Sequence, residues 1–295
     1  MLSRSWLSLR LSAPMRGLIA INLAAIIFGT AALYGKLDVS PFWICAMRAG
    51  FALLALAMIG GLSSQLLRLR AHSWGILAAS GCLLATHWVA FFMSVQLSGI
   101  AIATLTFATF PLFTVMVEAA AQRRLPSSTE VVAGCAIIAA VALLLEPNQS
   151  NSNNLAGIST GLSSAVSYAL FWRITQQLQQ PLPAASVSLC QNGFVLLLLA
   201  PFLVLSTPLP VTAVEWLALM GLGVFNTAVM LMLYLYALRY ISASTCSGFV
   251  ALEPVYAILF AAWLFDEAIT PWILLSIILI IGASLILLKT GSQPT

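Results

Sequence analysis

Arg48-Ala49-Gly50-Phe51-Ala52-Leu53-Leu54-Ala55-Leu56-Ala57 returns 143 residues further on as Gln191-Asn192-Gly193-Phe194-Val195-Leu196-Leu197-Leu198-Leu199-Ala200, with six of the ten positions identical. The same offset carries Pro111 onto Pro254 and the pair Arg123-Arg124 onto Asp266-Glu267, while Gly17 meets Gly157 at an offset of 140. In a chain this apolar, Leu and Ala recur by composition alone. A shared Gly-Phe and a shared Pro at one spacing instead mark an internal duplication.

The duplicated unit is a membrane unit. Of 295 residues, 61% are hydrophobic and 7% charged, with a mean hydropathy of +1.04. Soluble domains carry roughly 25% charged residues, so this chain lacks the charge to cover a water-facing surface. A helix crosses the ~30 Å of hydrocarbon with ~20 apolar residues. Ten candidate crossings follow, at 16–36, 40–60, 73–95, 99–121, 127–146, 155–177, 183–206, 213–236, 241–264 and 269–289. Backbone groups in lipid must be satisfied within the segment, and the alternation of a barrel strand is missing, so the crossings are helices.

The expected fold is therefore an all-α integral membrane protein of ten transmembrane helices. A segment 1–15 precedes two five-helix repeats, 16–146 and 155–289. Five is odd, so the repeats enter the bilayer in opposite orientations. Inverted repeats are related by a pseudo-two-fold axis in the membrane plane and enclose a central cavity near mid-depth, the architecture of alternating access.

Orientation is read from basic residues. With the N-terminus inside, Arg4, Arg10, Arg16, Arg68, Arg70, Arg123, Arg124, Arg173, Arg239 and Lys289 all fall on the inner side, and Lys36, beside Asp38, alone falls outside. This distribution predicts both termini in the cytoplasm of a multi-pass protein of the cell inner membrane. Leu2, Trp6 and Leu9 share one helical face and suit a short interfacial segment; no cleaved signal peptide is read there.

Several function classes are excluded. No Gly-rich loop ending in Gly-Lys-Ser/Thr is present, so no ATP module drives the protein. The net charge of +4 serves topology and gives no reason to expect nucleic acid. Cys45, Cys82, Cys135, Cys190 and Cys246 lie in apolar segments without metal-type spacing and read as small buried hydrophobes. No cofactor and no metal are expected; the expected partners are the bilayer and a small-molecule substrate, with the chain as a monomer.

The second half also carries Ala251-Leu252-Glu253-Pro254-Val255-Tyr256-Ala257, then Trp263-Leu264-Phe265-Asp266-Glu267, then Gly282. With Phe28-Gly29 and Arg48 in the first half, this resembles the EamA-type signature of the drug/metabolite transporter superfamily, over the whole chain. The resemblance implies a ten-helix, two-repeat carrier working by alternating access and no enzyme. Within that superfamily the chain looks most like the aromatic amino acid exporter group. Its first half departs from the signature, with Phe110 where Glu is usual and Arg123-Arg124 where Gly-Glu is usual.

Ionisable groups inside crossings cost roughly 2.5–3.5 kcal/mol at the centre, so each needs a reason. Glu253, next to helix-breaking Pro254, reads either as a substrate or proton site or as a cap for backbone loosened by a kink. His87 reads as a ligand for a carboxylate or a proton relay, or as a bond to a neighbouring helix. Arg48 reads as an attractor of a substrate carboxylate or a pair for a buried acid; the resemblance, whose members commonly keep an Arg here, implies a structural partner inside the bundle. Asn22 and Asn226 are buried amides suited to inter-helix bonding, and Glu118 reads as a local pair with Arg123 and Arg124. Trp88, Phe91, Tyr168, Trp172 and Tyr234 are the aromatic residues expected to wall a cavity that stacks planar substrates and holds ammonium groups. The expected substrate set is thus Trp88, Tyr168, Trp172, His87, Phe91, Asn226, Tyr234 and Glu253, with hinges at Pro111 and Pro254.

These residues favour export of small neutral or zwitterionic metabolites, amino acids including the aromatic ones. The alternative is a multidrug or cationic-compound exporter coupled to protons through Glu253. A phosphorylated substrate would need several mid-depth cations, and only Arg48 qualifies. An enzyme would need paired His or Asp in a spaced motif, and a channel a polar face along a whole helix. The topology predicts that a cysteine placed at Ser150 reacts with impermeant maleimide only on the side opposite the N-terminus; labelling on the same side removes the inverted repeat.

Overall fold

The structure, a computed structural model, describes residues 12–144, 152–178 and 182–291. The interfacial segment expected around Leu2, Trp6 and Leu9, and Ser150 in the connection between repeats, lie outside the described residues.

Each crossing follows from a long apolar run bounded by Pro, Ser, Thr or Gly. The first repeat comprises α1 (Ala13–Thr30, tightening to a 3-10 helix at Ala31–Lys36), α2 (Pro41–Leu56), α3 (Ala71–Phe107), α4 (Phe110–Ala121) and α5 (Ser128–Leu143). The second comprises α6 (Ser152–Thr175), α7 (Ala184–Leu203), α8 (Ala213–Gly223) joined through a π-turn at Val224–Val229 to α9 (Met230–Ala237), α10 (Ala243–Val250), α11 (Glu253–Phe265) and α12 (Pro271–Gly291). Long α3 is two crossings: Gly99 sits at φ +85, a backbone conformation that side-chain-bearing residues avoid, and it breaks the run into an arm before it and an arm after it. The second arm joins α4 to make the fourth crossing, α8 with α9 makes the eighth, and α10 with α11 makes the ninth. The ten crossings leave both described ends on one face, called here the terminal side, the opposite face being the far side.

Helix α6 is the least apolar crossing, rich in Ser, Thr and Gly. Its hydroxyls turn back on its own carbonyls: Ser159 to Leu155 O (2.8 Å), Ser163 to Ser159 O (2.8 Å), Ser167 to Ser163 O (2.8 Å) and Thr175 to Phe171 O (2.8 Å). Satisfied in this way, they add little desolvation cost to a buried helix.

The two repeats pack by the same contacts. Gly81 on α3 lies against α7, where an added methyl group would stand 2.6 Å from Phe194 Cβ and 3.1 Å from Gln191 O. Gly223 on α8 lies against α2 in the same manner, 2.6 Å from Phe51 Cβ and 2.7 Å from Arg48 O. Phe51 and Arg48 are the partners of Phe194 and Gln191 at the 143-residue offset. Polar bonds repeat too: Arg48 Nε donates to Thr227 Oγ1 at 3.1 Å, and Gln191 Nε2 to Ser80 Oγ at 3.1 Å. Gly17 packs on Tyr240 and Ile241, and its counterpart Gly157 packs on Ser98, which the offset maps to Ile241. The two left-handed non-glycine residues among those described, Arg123 (φ 52) and Asp266 (φ 53), are also one offset apart.

Three details differ from the sequence reading, and a fourth lay outside it. The crossings at 99–121 and 241–264 are interrupted, at Ala108–Thr109 and Ala251–Leu252. Cys82 and Cys135 are exposed on the outer surface of the bundle, where a thiol is as comfortable as any small apolar group; Cys45, Cys190 and Cys246 are buried. Arg124 pairs with Glu130 through two 2.8 Å bonds, in place of Glu118, because Glu130 is already held next to it as the third residue of a capping box with Ser127. Lys36 pairs with Glu267 at 2.6 Å, a contact between distant parts of the chain.

Because the bundle closes at glycines, side chains there are excluded. Gly223→Leu or Gly81→Leu is expected to lower the apparent melting temperature in detergent, overpacking costing about 1–3 kcal/mol, whereas Gly75→Ala, with nothing within 4 Å, is expected to be neutral or stabilising.

Candidate transport cavity

The fourth and ninth crossings break at equivalent places, and each break is followed by a fresh helix start. Pro111 and Pro254 occupy the first turns of α4 and α11, where a missing backbone N–H costs nothing. The residue before each proline faces the bundle interior: Phe110 in the first repeat and Glu253 in the second. Glu253 is therefore the first residue of a half-helix and not a mid-helix residue, as its place in an unbroken crossing implied. There its carboxylate meets the positive end of the α11 dipole.

Between these breaks lies a cavity of about 350 Å³. Its wall takes Ala24 and Phe28 from α1, Phe107, Phe110 and Pro111 around the first break, and Tyr168 and Trp172 from α6. Met230, Leu231, Tyr234 and Leu235 come from α9, Val250, Glu253 and Pro254 from around the second break, and Ile280, Ile281 and Ser284 from α12. The lining runs from mid-depth toward the terminal side, reaching Trp172 near the end of α6 and Ala184 at the start of α7.

Tyr168 is the hub of the aromatic wall. Its ring lies edge-on to Phe107 and Phe110, with centroids at 5.3 Å each, stacks on Phe171 at 5.6 Å and meets Trp172 at 6.2 Å. Such edge and offset geometries match ring quadrupoles. Among the described residues, the carboxylate of Glu253 makes no ion pair; it is 6% exposed, and no basic side chain lines the cavity.

The expected site residues divide into two groups. Tyr168, Trp172, Tyr234, Glu253, Pro111 and Pro254 reach the cavity wall; Trp88, His87, Phe91 and Asn226 do not. Trp88 is buried with the Arg48 guanidinium 4.0 Å above its ring, an arrangement worth about 2 kcal/mol when desolvated. Arg48 is completed by Thr227 Oγ1 and by Asn226 O at 3.4 Å, so its guanidinium is held inside the bundle, off the cavity wall. His87 Nδ1 lies 2.7 Å from Ser164 Oγ, with the rings of Phe107 and Tyr168 at 4.8 and 4.7 Å. Phe91 belongs to the packed core beside Phe92. Asn226, in the π-turn, donates to Ile27 O and to Thr30 Oγ1 (2.9 Å), tying the eighth crossing to the point where α1 tightens. Asn22 accepts from the Tyr256 hydroxyl at 3.0 Å.

Phe107 and Phe110 were not among the expected site residues, yet both line the cavity. The signal was present: Phe110 is the repeat partner of Glu253.

The far half of the bundle is filled. Ala31, Val39, Ile44, Phe92, Val95 and Ile100 are buried in one core, and Gly35 presses on Val95. Gln96 Nε2 donates to Val39 O at 2.9 Å, and Trp43 Nε1 to Ser206 O at 3.2 Å, joining the far-side connections. The cavity is thus closed on the far side.

A ten-crossing bundle of two inverted repeats around a mid-depth cavity defines a membrane carrier. The chain belongs to the EamA-like transporter family, whose model matches residues 15–146 and 155–289, one match for each repeat. Several solved structures share the fold; one crystal structure does so at 17% sequence identity and a TM-score of 0.63, covering 94% of this chain and 99% of that one. No curated protein sequence matches the chain significantly.

Because Trp88 supports Arg48 and Trp172 lines the cavity, the two tryptophans are separable. Trp88→Ala is expected to lower the apparent melting temperature in detergent by several degrees, through a large-to-small loss of about 3–5 kcal/mol. Trp172→Ala, at 44% exposure, is expected to leave stability near wild type and to alter solute flux.

Proposed function

We propose that this member of the EamA-like family exports small, flat, amine-bearing solutes by alternating access. The observation that carries this reading is an aromatic cavity whose described lining contains one carboxylate, Glu253, and no basic side chain. An ammonium head takes the place of the proton that otherwise neutralises Glu253, and the solute's apolar body lies against Tyr168, Phe107, Phe110 and Trp172. Both gains are available only to a cation with an aromatic or apolar body. Glu253 then releases its proton as the cation binds and takes it back as the cation leaves, which couples export to a proton gradient. This is the cationic-compound reading of the sequence.

A second observation favours aromatic amino acids. The half-helices α4 and α11 both begin at the cavity, and helix starts attract a carboxylate. At α11 that end is already occupied by Glu253, which leaves only α4 for a zwitterion and puts the amines first.

The basic residues gathered on the terminal side support a cytoplasmic position for both termini in the cell inner membrane. The described lining of the cavity comes from one chain, which supports a monomeric carrier.

Counterflow in proteoliposomes with phenethylamine and phenylalanine, which differ by one carboxylate, tests the substrate class. Phenethylamine is expected to be carried at least about tenfold better, since every 1.4 kcal/mol of differential binding is a factor of ten. Equal or better counterflow of phenylalanine establishes the amino acid reading instead, and no counterflow of either sinks both. Glu253→Gln is expected to abolish the dependence of flux on a pH gradient; an unchanged dependence leaves Glu253 a structural role.

A further inference from the structure

Closure of the far side has an electrostatic centre remote from the cavity, at the turn between α11 and α12. Asp266 ends α11 in the left-handed conformation and turns Glu267 inward. Oε1 of Glu267 lies 2.6 Å from Lys36 Nζ, and the two carboxylate oxygens accept from the backbone N–H of Ile100 at 3.2 and 3.1 Å. Ile100 is the first residue after the Gly99 break, so the carboxylate caps the start of the fourth crossing. The Lys36 ammonium also stands 5.9 Å over the Phe265 ring. Three crossings that supply cavity wall, the first, fourth and ninth, thus meet on one carboxylate at their far ends.

The repeat-related turn on the terminal side has the same backbone and the opposite charge. Arg123 takes the left-handed conformation as Asp266 does, and Arg124 stands where Glu267 stands. Arg124 is 37% exposed and bonds within its own repeat, to Glu130. The residue related to Ile100 is Ala243, the first of α10, and that helix start is already served by Ser242 Oγ, which accepts from Thr245 N at 3.2 Å. A guanidinium cannot accept from an amide, and a helix start repels a cation. The terminal side therefore cannot form the lock present on the far side.

We propose that Lys36, Glu267 and the Ile100 amide form a one-sided latch, which rests the carrier with its cavity open to the terminal side and must break for the far side to open. The proposal rests on the alternating-access reading above but not on any substrate.

The test uses the full chain with its five cysteines replaced and Phe28→Cys as a reporter in the cavity wall. Impermeant maleimide is added to sealed vesicles of each orientation. In the parent, the reporter is expected to react from the terminal side and slowly from the far side. Glu267→Gln and Lys36→Met are each expected to raise the far-side rate on the order of tenfold, the loss of one charge-assisted contact. The exchange Lys36→Glu with Glu267→Lys restores an ion pair but not the cap on Ile100, so its far-side rate is expected to stay high. Parent-like far-side rates in both single variants overturn the latch while leaving the carrier reading intact; a parent-like rate in the exchange overturns the part given to Ile100. Should Glu267→Gln fail to accumulate, Lys36→Met, which keeps the carboxylate on the amide, decides alone. A reporter reached from neither side in any variant overturns the carrier reading with it.

Discussion

The bundle depends on places where helix backbones touch without side chains between them, two of which are related by the repeat. Gly81 against α7 and Gly223 against α2 are one contact made twice, and each brings a polar residue of the second helix, Gln191 or Arg48, within reach of a hydroxyl on the first. In lipid no hydrophobic effect draws helices together, so close packing and hydrogen bonds of about 0.6 kcal/mol each must suffice. The pseudo-two-fold exchanges these two contacts, and the broken crossings supply wall to the void between the repeats. Cavity and dimer-like packing are two sides of one arrangement.

Within that symmetry the functional differences are few and local. Both breaks have the same backbone, but one presents a phenyl ring and the other a carboxylate. Both polar turns have a left-handed residue at the same place, yet one turn ends in a cation and the other in an anion. Arg48 has lost its freedom to Trp88 and Thr227 and cannot greet a ligand. A symmetric scaffold gives two equivalent end states; these substitutions make the two sides unequal.

Much of the fold was legible in the chain. Hydropathy located the crossings, and the offset of Gly50-Phe51 and Pro111 disclosed the duplication. The breaks were not legible as breaks, because Ala108 and Thr109 are ordinary helix residues and the proline after them marks a kink as readily as a restart. The site was half legible. Tyr168 and Trp172 are one turn apart on a polar helix that faces inward, and both reach the wall. Trp88 and His87 look equally suited, but rotation of α3 about its axis turns them into the protein core, and no periodicity distinguishes a buried face from a cavity face when both are apolar. The Lys36–Glu267 pair was not legible either, because only the fold brings Glu267 to Lys36 from the far end of the chain.

Among the described residues, the cavity wall holds one carboxylate and no base. A carrier so built that trades one proton for one singly charged amine moves no net charge in either half of its cycle. Membrane voltage, worth about 2.3 kcal/mol per elementary charge at 100 mV, then does no work on the exchange. Accumulation ratios are set by acidity alone, and a doubly charged solute would stall the cycle by leaving one of its charges without a counterion at mid-membrane.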